Sequence, residues 1–564
     1  MQMFIYNGPD PDPNIAIGRF YNHHGPIGCD VETVSLDDRT PLGAAFAINP
    51  SESFYFQIDS PLFPWGLLRN PGQEVIFHNA GFDVQVLEDW SGDQVTSIGD
   101  SCLLAMILGL PGRLSQIVEM LYGREPRLIT DLIGEGKDQI TMADVPVEKV
   151  AERGCLDAQE ALEVWMYLHR EYTVPVKALD LETRFLPVAL QMQKTGIKID
   201  TKRVHEHRLE LDRRLTFYRM VAEGIGFNPG SSQQLAIALE GRGYRVLYRT
   251  GKDGKRRPRL NKEILRNYYA VEPIAQLTLQ YRSTQTLLTH LIRPLDEGRY
   301  LVGDRIYPRV NLNVTDTGRI SRSNPATQNI NGVLRDIVIP SEGNMIHDWD
   351  FSQIELRCAA YMWEDNAMQE IFKRGEDVHQ ATADQLVAAG MGNILGDTNE
   401  RRRRLAKDLN FAMLFGGDEQ TLWERRRIPL DMGKKLVEGY FTKFRGIANG
   451  IEKTKKEALA NGFTETMYGR KRIESEKLES GKEYLIADAL RKLINHPIQG
   501  SAAEILKEAM WVTKNEPQFH TVHDEVLSDV EPGYVYPGKL HRVAPFDTPI
   551  TEKIGPNYKD LVDV

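Results

Sequence analysis

The sequence has few cysteines, no long apolar run and no internal repeat. No stretch of about 18 consecutive apolar residues occurs, so we expect no membrane-spanning helix and no membrane partner. The N-terminus lacks the charged-then-apolar pattern of a secretory signal. The four cysteines are far apart and none belongs to a C-x-x-C pair, which argues against a zinc site or a disulfide framework. This usage suits a reducing compartment, and we expect a cytoplasmic protein.

Acidic residues outnumber basic ones, 79 to 69, and the formal net charge is −10. This balance at first argues against a nucleic-acid partner, but binding depends on where the basic residues lie rather than on their total. Here they form four clusters, at 251–259, 401–404, 425–427 and 469–472. A solvated face explains any one cluster alone. Four such clusters near paired carboxylates favour a basic surface along which DNA binds.

The 564 residues are enough for several domains, because a single hydrophobic core rarely grows beyond roughly 250–300 residues. From 27 to about 170, short apolar runs alternate with helix-like stretches, which predicts an α/β domain with a central sheet. From about 172 to 295 the pattern is mostly helical. The basic segment 251–259 interrupts it, and there we expect a hairpin tip or a flexible loop. From 300 onward, strands and helices mix again.

A first set of carboxylates lies in the N-terminal region. Asp30 and Glu32 follow an apolar run, and on a strand residues i and i+2 point to the same face. Asp83 is expected at the end of a second strand and Asp157 on a helix. Hard divalent cations such as Mg²⁺ prefer carboxylate oxygens, and two of them suit the cleavage of a phosphodiester. A lone D-x-E pair is more often an ordinary pair of acidic residues on the protein surface. The prediction therefore depends on the whole ordered set of four carboxylates.

This ordered set resembles the DEDD family of 3′→5′ exonucleases over about 140 residues. The resemblance implies that the four carboxylates bind two metals, and that Asn79 and Phe82 support the site and the strand end. One departure concerns the water-orienting residue, because the family's Tyr or His positions hold Arg153 and Glu152 here. Arginine stays protonated and cannot act as a base, so we expect a slower exonuclease. An arginine there is instead suited to gripping a phosphate.

A second pair of carboxylates, Asp350 and Asp524, lies far apart in the sequence. The segment 345–357 has the pattern of a strand that turns into a helix, and 519–527 has the pattern of two strands joined by an acidic turn. Two carboxylates exposed at strand ends suit a two-metal phosphoryl-transfer site. Taken singly, each is better explained as a capping or turn aspartate.

Between these carboxylates, a helix is predicted over 403–416. Its side chains Arg403, Lys407, Phe411 and Phe415 recur every four residues and so share one helix face. The cationic half of that face matches a triphosphate, and the aromatic half can pack on a sugar and base. A plain amphipathic helix is the alternative, but it rarely places Arg and Lys in line with buried Phe.

From about residue 183 to the C-terminus, these segments resemble family A DNA polymerases. The segments that carry the resemblance, in collinear order, are 315–330, 350–357, 375–383, 403–416, 495–507 and 522–525. The resemblance implies an α/β and α+β multidomain chain, with an RNase H-like exonuclease domain before a right-hand polymerase. The domains expected are an exonuclease-like domain at 1–170, the thumb and a linker at 171–298, and palm and fingers at 299–564, with fingers at roughly 365–480.

The resemblance also implies a role for each matching residue. The expected catalytic residues are Asp350, Asp524, Glu525 and Lys407, and the expected metal ligands are Asp350, Asp524, Asp30, Glu32, Asp83 and Asp157. Expected nucleotide contacts are Arg403, Lys407, Phe411, Phe415, Glu355, Gln353 and His379, with Glu355 as the steric gate against a 2′-hydroxyl. Expected DNA contacts are Arg319, Arg491, Asn495, Gln499 and His523. Asn79, Phe82 and Arg153 are expected to support the exonuclease site.

The cofactor implied is Mg²⁺, two ions in each active site, with Mn²⁺ as a substitute. The partners implied are primer–template DNA and deoxynucleoside triphosphates, and we expect a monomer that works with or without accessory replication proteins. The length leaves no room for a 5′-nuclease domain, so by analogy we expect a phage-type enzyme in a bacterial or phage-infected cell.

Three alternatives stay open at this point. A related RNA polymerase shares the palm geometry, but Glu355 and Phe411 argue against ribonucleotide selection. A binding protein on a dead polymerase scaffold conflicts with the intact Asp350, Asp524, Arg403 and Lys407. A polymerase with a vestigial exonuclease domain is the third alternative, and the arginine in place of the water-orienting residue motivates it.

Overall fold

The structure, a computed structural model, describes residues 4–8, 12–136, 139–251, 253–330, 332–535 and 539–564. Two members of the basic clusters, Lys252 and the side chain of Arg425, lie outside the described residues. The chain forms two compact units. The first unit contains 1–190, 310–321 and 457–513, and the second contains 191–309, 322–456 and 514–564.

The strands of the described residues are, in chain order, β1 (Ile5–Asn7), β2 (Ile27–Thr33), β3 (Pro41–Asn49), β4 (Glu52–Gln57), β5 (Val75–Phe77), β6 (Ile98–Asp100), β7 (Ile197–Lys198), β8 (Tyr248–Thr250), β9 (Arg256–Pro258), β10 (Leu301–Val302), β11 (Arg305–Ile306), β12 (Arg309–Asn311), β13 (Ser321–Ser323), β14 (Met345–Phe351), β15 (Phe463–Glu465), β16 (Lys471–Ile473), β17 (Gln518–Val522), β18 (Glu525–Val530), β19 (Ile550–Gly555) and β20 (Val562–Asp563).

The α-helices of the same residues are α1 (Pro13–Tyr21), α2 (Trp65–Leu68), α3 (Ala80–Ser91), α4 (Ser101–Ile107), α5 (Leu114–Tyr122), α6 (Thr130–Ile133), α7 (Val147–Glu171), α8 (Val176–Thr195), α9 (Thr201–Ile225), α10 (Ser232–Glu240), α11 (Lys262–Tyr268), α12 (Pro273–Leu287), α13 (Arg293–Asp296), α14 (Ile354–Met362), α15 (Asn366–Lys373), α16 (Val378–Leu386), α17 (Gly392–Leu395), α18 (Asn399–Leu414), α19 (Glu419–Arg426), α20 (Leu430–Lys443), α21 (Arg445–Asn461), α22 (Ser475–Leu478) and α23 (Glu483–Val512). None of these helices is both long and apolar enough to cross a membrane.

The first unit is built on a six-stranded sheet in the order β1-β4-β3-β2-β5-β6. Strand β2 pairs antiparallel with β3 and parallel with β5, so it lies inside the sheet. Helix α7 packs closely across β2, because a methyl group at Gly28 would lie 2.1 Å from the carbonyl oxygen of Ala158. The expected α/β domain with a central sheet is confirmed, and so is the helix predicted around Asp157.

The later segments of the first unit add the β15–β16 hairpin and the long helix α23. Here α8 and α23 share a fully buried ion cluster. Lys507 donates to both carboxylate oxygens of Glu182 at 2.6 and 2.8 Å, and Arg470 also pairs with Glu182. Thr466 donates to the buried carboxylate of Glu504 at 2.8 Å. Buried charges need such partners, because an isolated ion loses several kcal/mol of hydration.

The second unit contains a five-stranded antiparallel sheet in the order β17-β18-β14-β19-β20. Its apolar side chains Ile346 and Leu527 pack with Ile337 in one core cluster. Most of 191–309 is helical, as expected, and strands β8 and β9 form the predicted hairpin in the basic segment. The predicted strand-to-helix, helix and two-strand segments at 345–357, 403–416 and 519–527 are also confirmed.

We predict that Glu182→Leu lowers stability by about 3–5 kcal/mol, because it leaves the buried cations Lys507 and Arg470 without their main partner. The measurement is urea unfolding followed by circular dichroism. Glu163→Leu is the matched control, since Glu163 pairs with the partly exposed Arg124; that variant should change stability by less than about 1 kcal/mol. Equal effects of both substitutions would contradict the role of the buried cluster.

Candidate active sites

Strand β2 presents the first carboxylates of the N-terminal site toward α7. A methyl group at Gly154 of α7 would lie 3.3 Å from Glu32 Cγ, so the helix passes directly over that side chain. Burial raises the pKa of Asp30 well above its usual range, and the nearby Glu32, Asp157 and Asp83 raise it further. Burial and then Asp157 raise the pKa of Glu32 to about 7. The structure therefore brings the four predicted carboxylates together.

Asp83 reaches this site from a helix rather than from a strand end, so that part of the prediction is wrong. Strand β5 ends at Phe77, Asn79 adopts a left-handed backbone with φ of 74°, and Asp83 lies in the first turn of α3. The cause is Asp100, which accepts hydrogen bonds from the backbone N–H of Asn79 and Ala80 at 3.1 and 2.8 Å. Asp83 Oδ1 in turn accepts the backbone N–H of Val31 at 3.0 Å, which fixes it beside β2.

The remaining predicted residues of this site also have defined partners. Asn79 Oδ1 accepts a hydrogen bond from Asn313 at 2.8 Å, and Arg39 lies over the Phe82 ring at 5.3 Å. Arg153 donates from Nε to Asp157 Oδ2 at 2.7 Å. A cavity of about 370 Å³ lies beside this pair; its walls include Arg113, Arg127, Asn313, His78, Arg153 and Asp157.

In the second unit, the other two carboxylates lie at the same end of the neighbouring strands β14 and β18. Asp350 lies on β14 directly opposite Glu525 of β18, and Asp524 lies in the turn that joins β17 to β18. His523 makes that turn with φ of 58° and is exposed. Burial raises the pKa of Asp350 to about 7, and the charges of Asp524 and Glu525 add to that shift.

The sequence reasoning missed three residues around these carboxylates. Arg335 and Tyr558 have no local signal, whereas Asp348 lies two residues before Asp350 on the same strand, a spacing that could have identified it. Arg335 donates to both oxygens of Glu525 at 3.3 and 3.1 Å, and Tyr558 donates to Glu525 at 2.6 Å. Asp348, also on β14, is buried next to Glu525, and burial and that charge raise its pKa to about 8. Glu525 is thus held by its own partners, whereas Asp350 Oδ1 is buried and has no hydrogen-bond partner among the described residues.

Both sites have the donor set that hard divalent cations take. Their ligating atoms are carboxylate oxygens, which Mg²⁺ and similar cations prefer. Burial first, and then neighbouring carboxylates, raise the pKa values of Asp350 and Glu32, so a bound cation would offset part of the cost of their charged forms. Over the described part of the chain, no three acidic, His or Cys side chains are already arranged as a metal site. The donor atoms of these residues thus fit a divalent cation by their chemistry.

Helix α18 presents the predicted cationic and aromatic face. Arg403 binds Asp377, the N-cap of α16, with contacts of 2.7 and 2.6 Å, and Lys407 one turn later is exposed. The rings of Phe411 and Phe415 are half-buried and 6.4 Å apart, so they continue this face. The helix thus offers two cations and then two rings along one side, as the four-residue spacing predicts.

His379 lies almost fully buried next to the face of α18. It is 3% exposed on α16, its Nδ1 accepts a hydrogen bond from Asn410 at 3.0 Å, and its ring lies 5.9 Å from that of Phe411. Burial lowers the pKa of His379 to about 4, so the ring is neutral at pH 7. These contacts suit a residue that supports Phe411 on the helix face.

Gln353 and Glu355 lie where β14 turns into α14. Gln353 is the N-cap of α14 with φ of 59°, and Glu355 is half-buried in the first turn of the helix. In the first unit, Arg491, Asn495 and Gln499 follow one another at four-residue spacing on one face of α23, and Arg319 lies between β12 and β13. Asn495 Oδ1 is buried without a hydrogen-bond partner among the described residues.

Two family models match the chain. The model described as DNA polymerase family A matches residues 201–539, and the model described as 3′-5′ exonuclease matches residues 12–183. The first match covers more than half of the 564 residues. The second contains all four carboxylates of the N-terminal site.

Known proteins resemble the chain over most of its length. DNA polymerase I of Chloroflexus aurantiacus is 30% identical over 533 residues, which covers 87% of this chain and 55% of that protein. DNA polymerase I of Pseudomonas aeruginosa is 26% identical over 551 residues, which covers 89% and 59%. The chain therefore spans little more than half the length of these relatives.

The solved structure of the POL domain of Pol1 from M. smegmatis, in a complex with DNA primer-template and dNTP, aligns with a TM-score of 0.80. The alignment covers 98% of this chain and 99% of that one at 22% identity. This likeness confirms the expected fold class, a multidomain chain of α/β and α+β parts.

We predict that Asp348 and Asp350 make the metal-free protein less stable as pH rises from about 4 to about 8. The folded state keeps protons on Asp348 and Asp350, with pKa values of about 8 and about 7, where the unfolded chain has already released them. Each such group makes unfolding easier by up to about 1.4 kcal/mol per pH unit in that window.

Asp348→Asn should flatten the slope, measured by urea unfolding in EDTA with Trp fluorescence. The exposed Asp563→Asn is the control and should leave the slope unchanged; a slope unaffected by Asp348→Asn would contradict the assignment.

Proposed function

The chain belongs to DNA polymerase family A, and on that premise we propose that it extends the 3′ end of a DNA primer with deoxynucleotides selected by a template. We propose further that its N-terminal domain, which matches a 3′-5′ exonuclease model, removes nucleotides from that end. The observation that carries the first proposal is the meeting of Asp350 and Asp524 at one edge of the β14–β18 pair.

Asp350 and Asp524 would hold two divalent cations, with Mg²⁺ as the natural choice and Mn²⁺ as a substitute. Bound there, the cations would lower the pKa of the primer 3′-hydroxyl and stabilise the charge that develops on the transferred phosphorus and on pyrophosphate. The chain's own contribution is to hold these two carboxylates rigidly. Glu525 is kept in place by Arg335 and Tyr558, so it can limit the movement of Asp350 on the neighbouring strand.

Helix α18 supports binding of the incoming nucleotide in the same unit. Arg403 and the exposed Lys407 would contact the triphosphate, and Lys407 would donate a proton to the leaving pyrophosphate. Phe411 and Phe415 would pack on the sugar and base. The buried, neutral His379 supports Phe411 in this proposal; a direct phosphate contact by His379 stays a prediction.

The DNA would be contacted along the four-residue face of α23 and at Arg319. Arg491, Asn495 and Gln499 carry donors suited to minor-groove acceptors that all correct base pairs share, so they would test geometry rather than sequence. His523, exposed in the turn before Asp524, would support the primer terminus. We keep the division into 1–170, 171–298 and 299–564 as exonuclease, thumb, and palm with fingers. Action as a monomer and a cytoplasmic location also stay predictions.

RNA synthesis is the main alternative to the proposed reaction. Glu355, half-buried in the first turn of α14, lies five residues after Asp350. A carboxylate there would meet a 2′-hydroxyl, which favours deoxynucleotides. We therefore prefer DNA synthesis over RNA synthesis.

We predict that Asp524→Ala abolishes primer extension, because it removes one of two carboxylates that would bind the cations. The assay is a labelled primer–template with Mg²⁺ and the four deoxynucleotides. Loss of one charge-stabilising group typically costs about 10²–10³-fold in rate, so we expect a loss on the order of 10³-fold with DNA affinity nearly unchanged. Asp563→Ala, an exposed carboxylate of the same sheet, should extend like the unmodified protein. Extension that survives Asp524→Ala would overturn the site, and no extension by the unmodified protein with any divalent metal would overturn the function.

We predict that Glu355→Ala raises ribonucleotide incorporation relative to deoxynucleotides by roughly 10–200-fold, the range that one steric contact usually controls. The measurement is the ratio of kcat/KM for the two nucleotide types. Glu370→Ala, an exposed carboxylate paired with Lys373 on α15, is the control. An unchanged ratio in Glu355→Ala would remove the gate from the proposal.

A further inference from the structure

The N-terminal site already contains a cation of its own. The Arg153 guanidinium donates from Nε to Asp157 Oδ2 at 2.7 Å and from Nη1 to the backbone carbonyl of Arg127 at 3.1 Å. The two side chains of the ion pair are 21% and 17% exposed, so water screens the pair only weakly. Two fixed hydrogen bonds hold the planar guanidinium against the carboxylate.

The charge of Arg153 acts on more than its direct partner. Its proximity opposes the rise in pKa at Asp30 and Glu32, as well as at Asp157. The guanidinium therefore does part of what a divalent cation would do, since it offsets the repulsion among buried carboxylates. Arg127 also acts on Asp157, but its own guanidinium pairs with Glu160.

Space for a different position of the arginine is present. The cavity of about 370 Å³ is lined by Arg153 and Asp157 and extends to Arg113 and Asn313. The Arg153 side chain therefore borders open space on the side of the cavity. Arg127, at the same wall, keeps a positive charge there when Arg153 moves.

Resting on the exonuclease function proposed above, we propose that Arg153 is a resident counter-ion of Asp157 that must release this carboxylate before a divalent cation binds there. Arg153 is a positioning residue in this account, because it acts through Asp157. It sets the metal concentration at which the N-terminal site becomes competent. In the second unit, Lys553 and Arg335 also act on the charge of Asp350, but Asp350 Oδ1 has no hydrogen-bond partner among the described residues. Shortening of a primer therefore needs more metal than its extension.

The test measures metal binding directly as well as activity. Arg153→Met removes the charge and keeps a long side chain, and Arg153→Lys keeps the charge. Both are made in the full chain carrying Asp350→Asn and Asp524→Asn, so that Mn²⁺ binding reports on the N-terminal site. Free Mn²⁺ is followed by electron paramagnetic resonance. We expect Arg153→Met to bind Mn²⁺ about tenfold more tightly, which corresponds to about 1.4 kcal/mol, and Arg153→Lys to stay within about threefold of the arginine.

Arg124→Met is the matched control, because Arg124 pairs with Glu163 at 2.7 and 2.9 Å outside the four carboxylates and should leave Mn²⁺ affinity unchanged. In chains with Asp350 and Asp524 intact, the Mg²⁺ concentration that gives half-maximal 3′ shortening should fall about tenfold with Arg153→Met, while the concentration for extension stays the same. Circular dichroism checks that each variant is folded.

The outcomes separate this inference from the proposed function. Unchanged Mn²⁺ affinity in Arg153→Met, with normal extension, overturns the counter-ion and leaves the polymerase intact. Unchanged affinity with slower shortening also overturns it and assigns Arg153 to a phosphate of the DNA instead. Tighter Mn²⁺ binding by a protein that shortens no primer supports the counter-ion and overturns the exonuclease function.

Discussion

Repulsion between buried carboxylates is the constraint on which both sites depend. Asp30, Glu32 and Asp350 all have raised pKa values, because burial and neighbouring acids disfavour their charged forms. Such groups are retained only where the surrounding fold holds them in place at a cost in stability. In the first unit, α7 crosses β2 so closely that Gly28 has no room for a side chain. In the second unit, the antiparallel pairing of β14 with β18 sets the spacing of the carboxylates.

The fold limits this repulsion with specific hydrogen bonds rather than with general solvation. The backbone N–H of Val31 binds Asp83, and Arg335 with Tyr558 binds Glu525. These donors fix one acid of each set, and in the second unit Asp350 Oδ1 has no hydrogen-bond partner among the described residues. A carboxylate held in position without its full set of partners is prepared to bind a cation with little reorganisation.

The sequence predicted the elements whose signals are local and periodic. The strand-to-helix turn after Asp350 and the four-residue spacing on α18 both depend on residues within one or two turns of each other, so they were found. The helix position of Asp83 was missed because it depends on Asp100, whose carboxylate ends β5 from a point some 20 residues further along the chain. Arg335 is 190 residues from Glu525, and no periodic pattern can show such a pairing. The family resemblance supplied the roles, but not these partners.

The two sites place an arginine differently relative to their carboxylates, as the contacts of Arg335 and Arg153 show. Arg335 binds Glu525, a neighbour of the metal-ligand candidates, so its charge stabilises the set without occupying Asp350. Arg153 binds Asp157, itself a ligand candidate, so its charge competes with a cation for the same oxygen. An arginine that binds a neighbour of a metal ligand supports the metal site. An arginine that binds the ligand itself opposes the binding of a cation. On the proposed functions, the same residue type would therefore favour synthesis in one unit and restrain hydrolysis in the other.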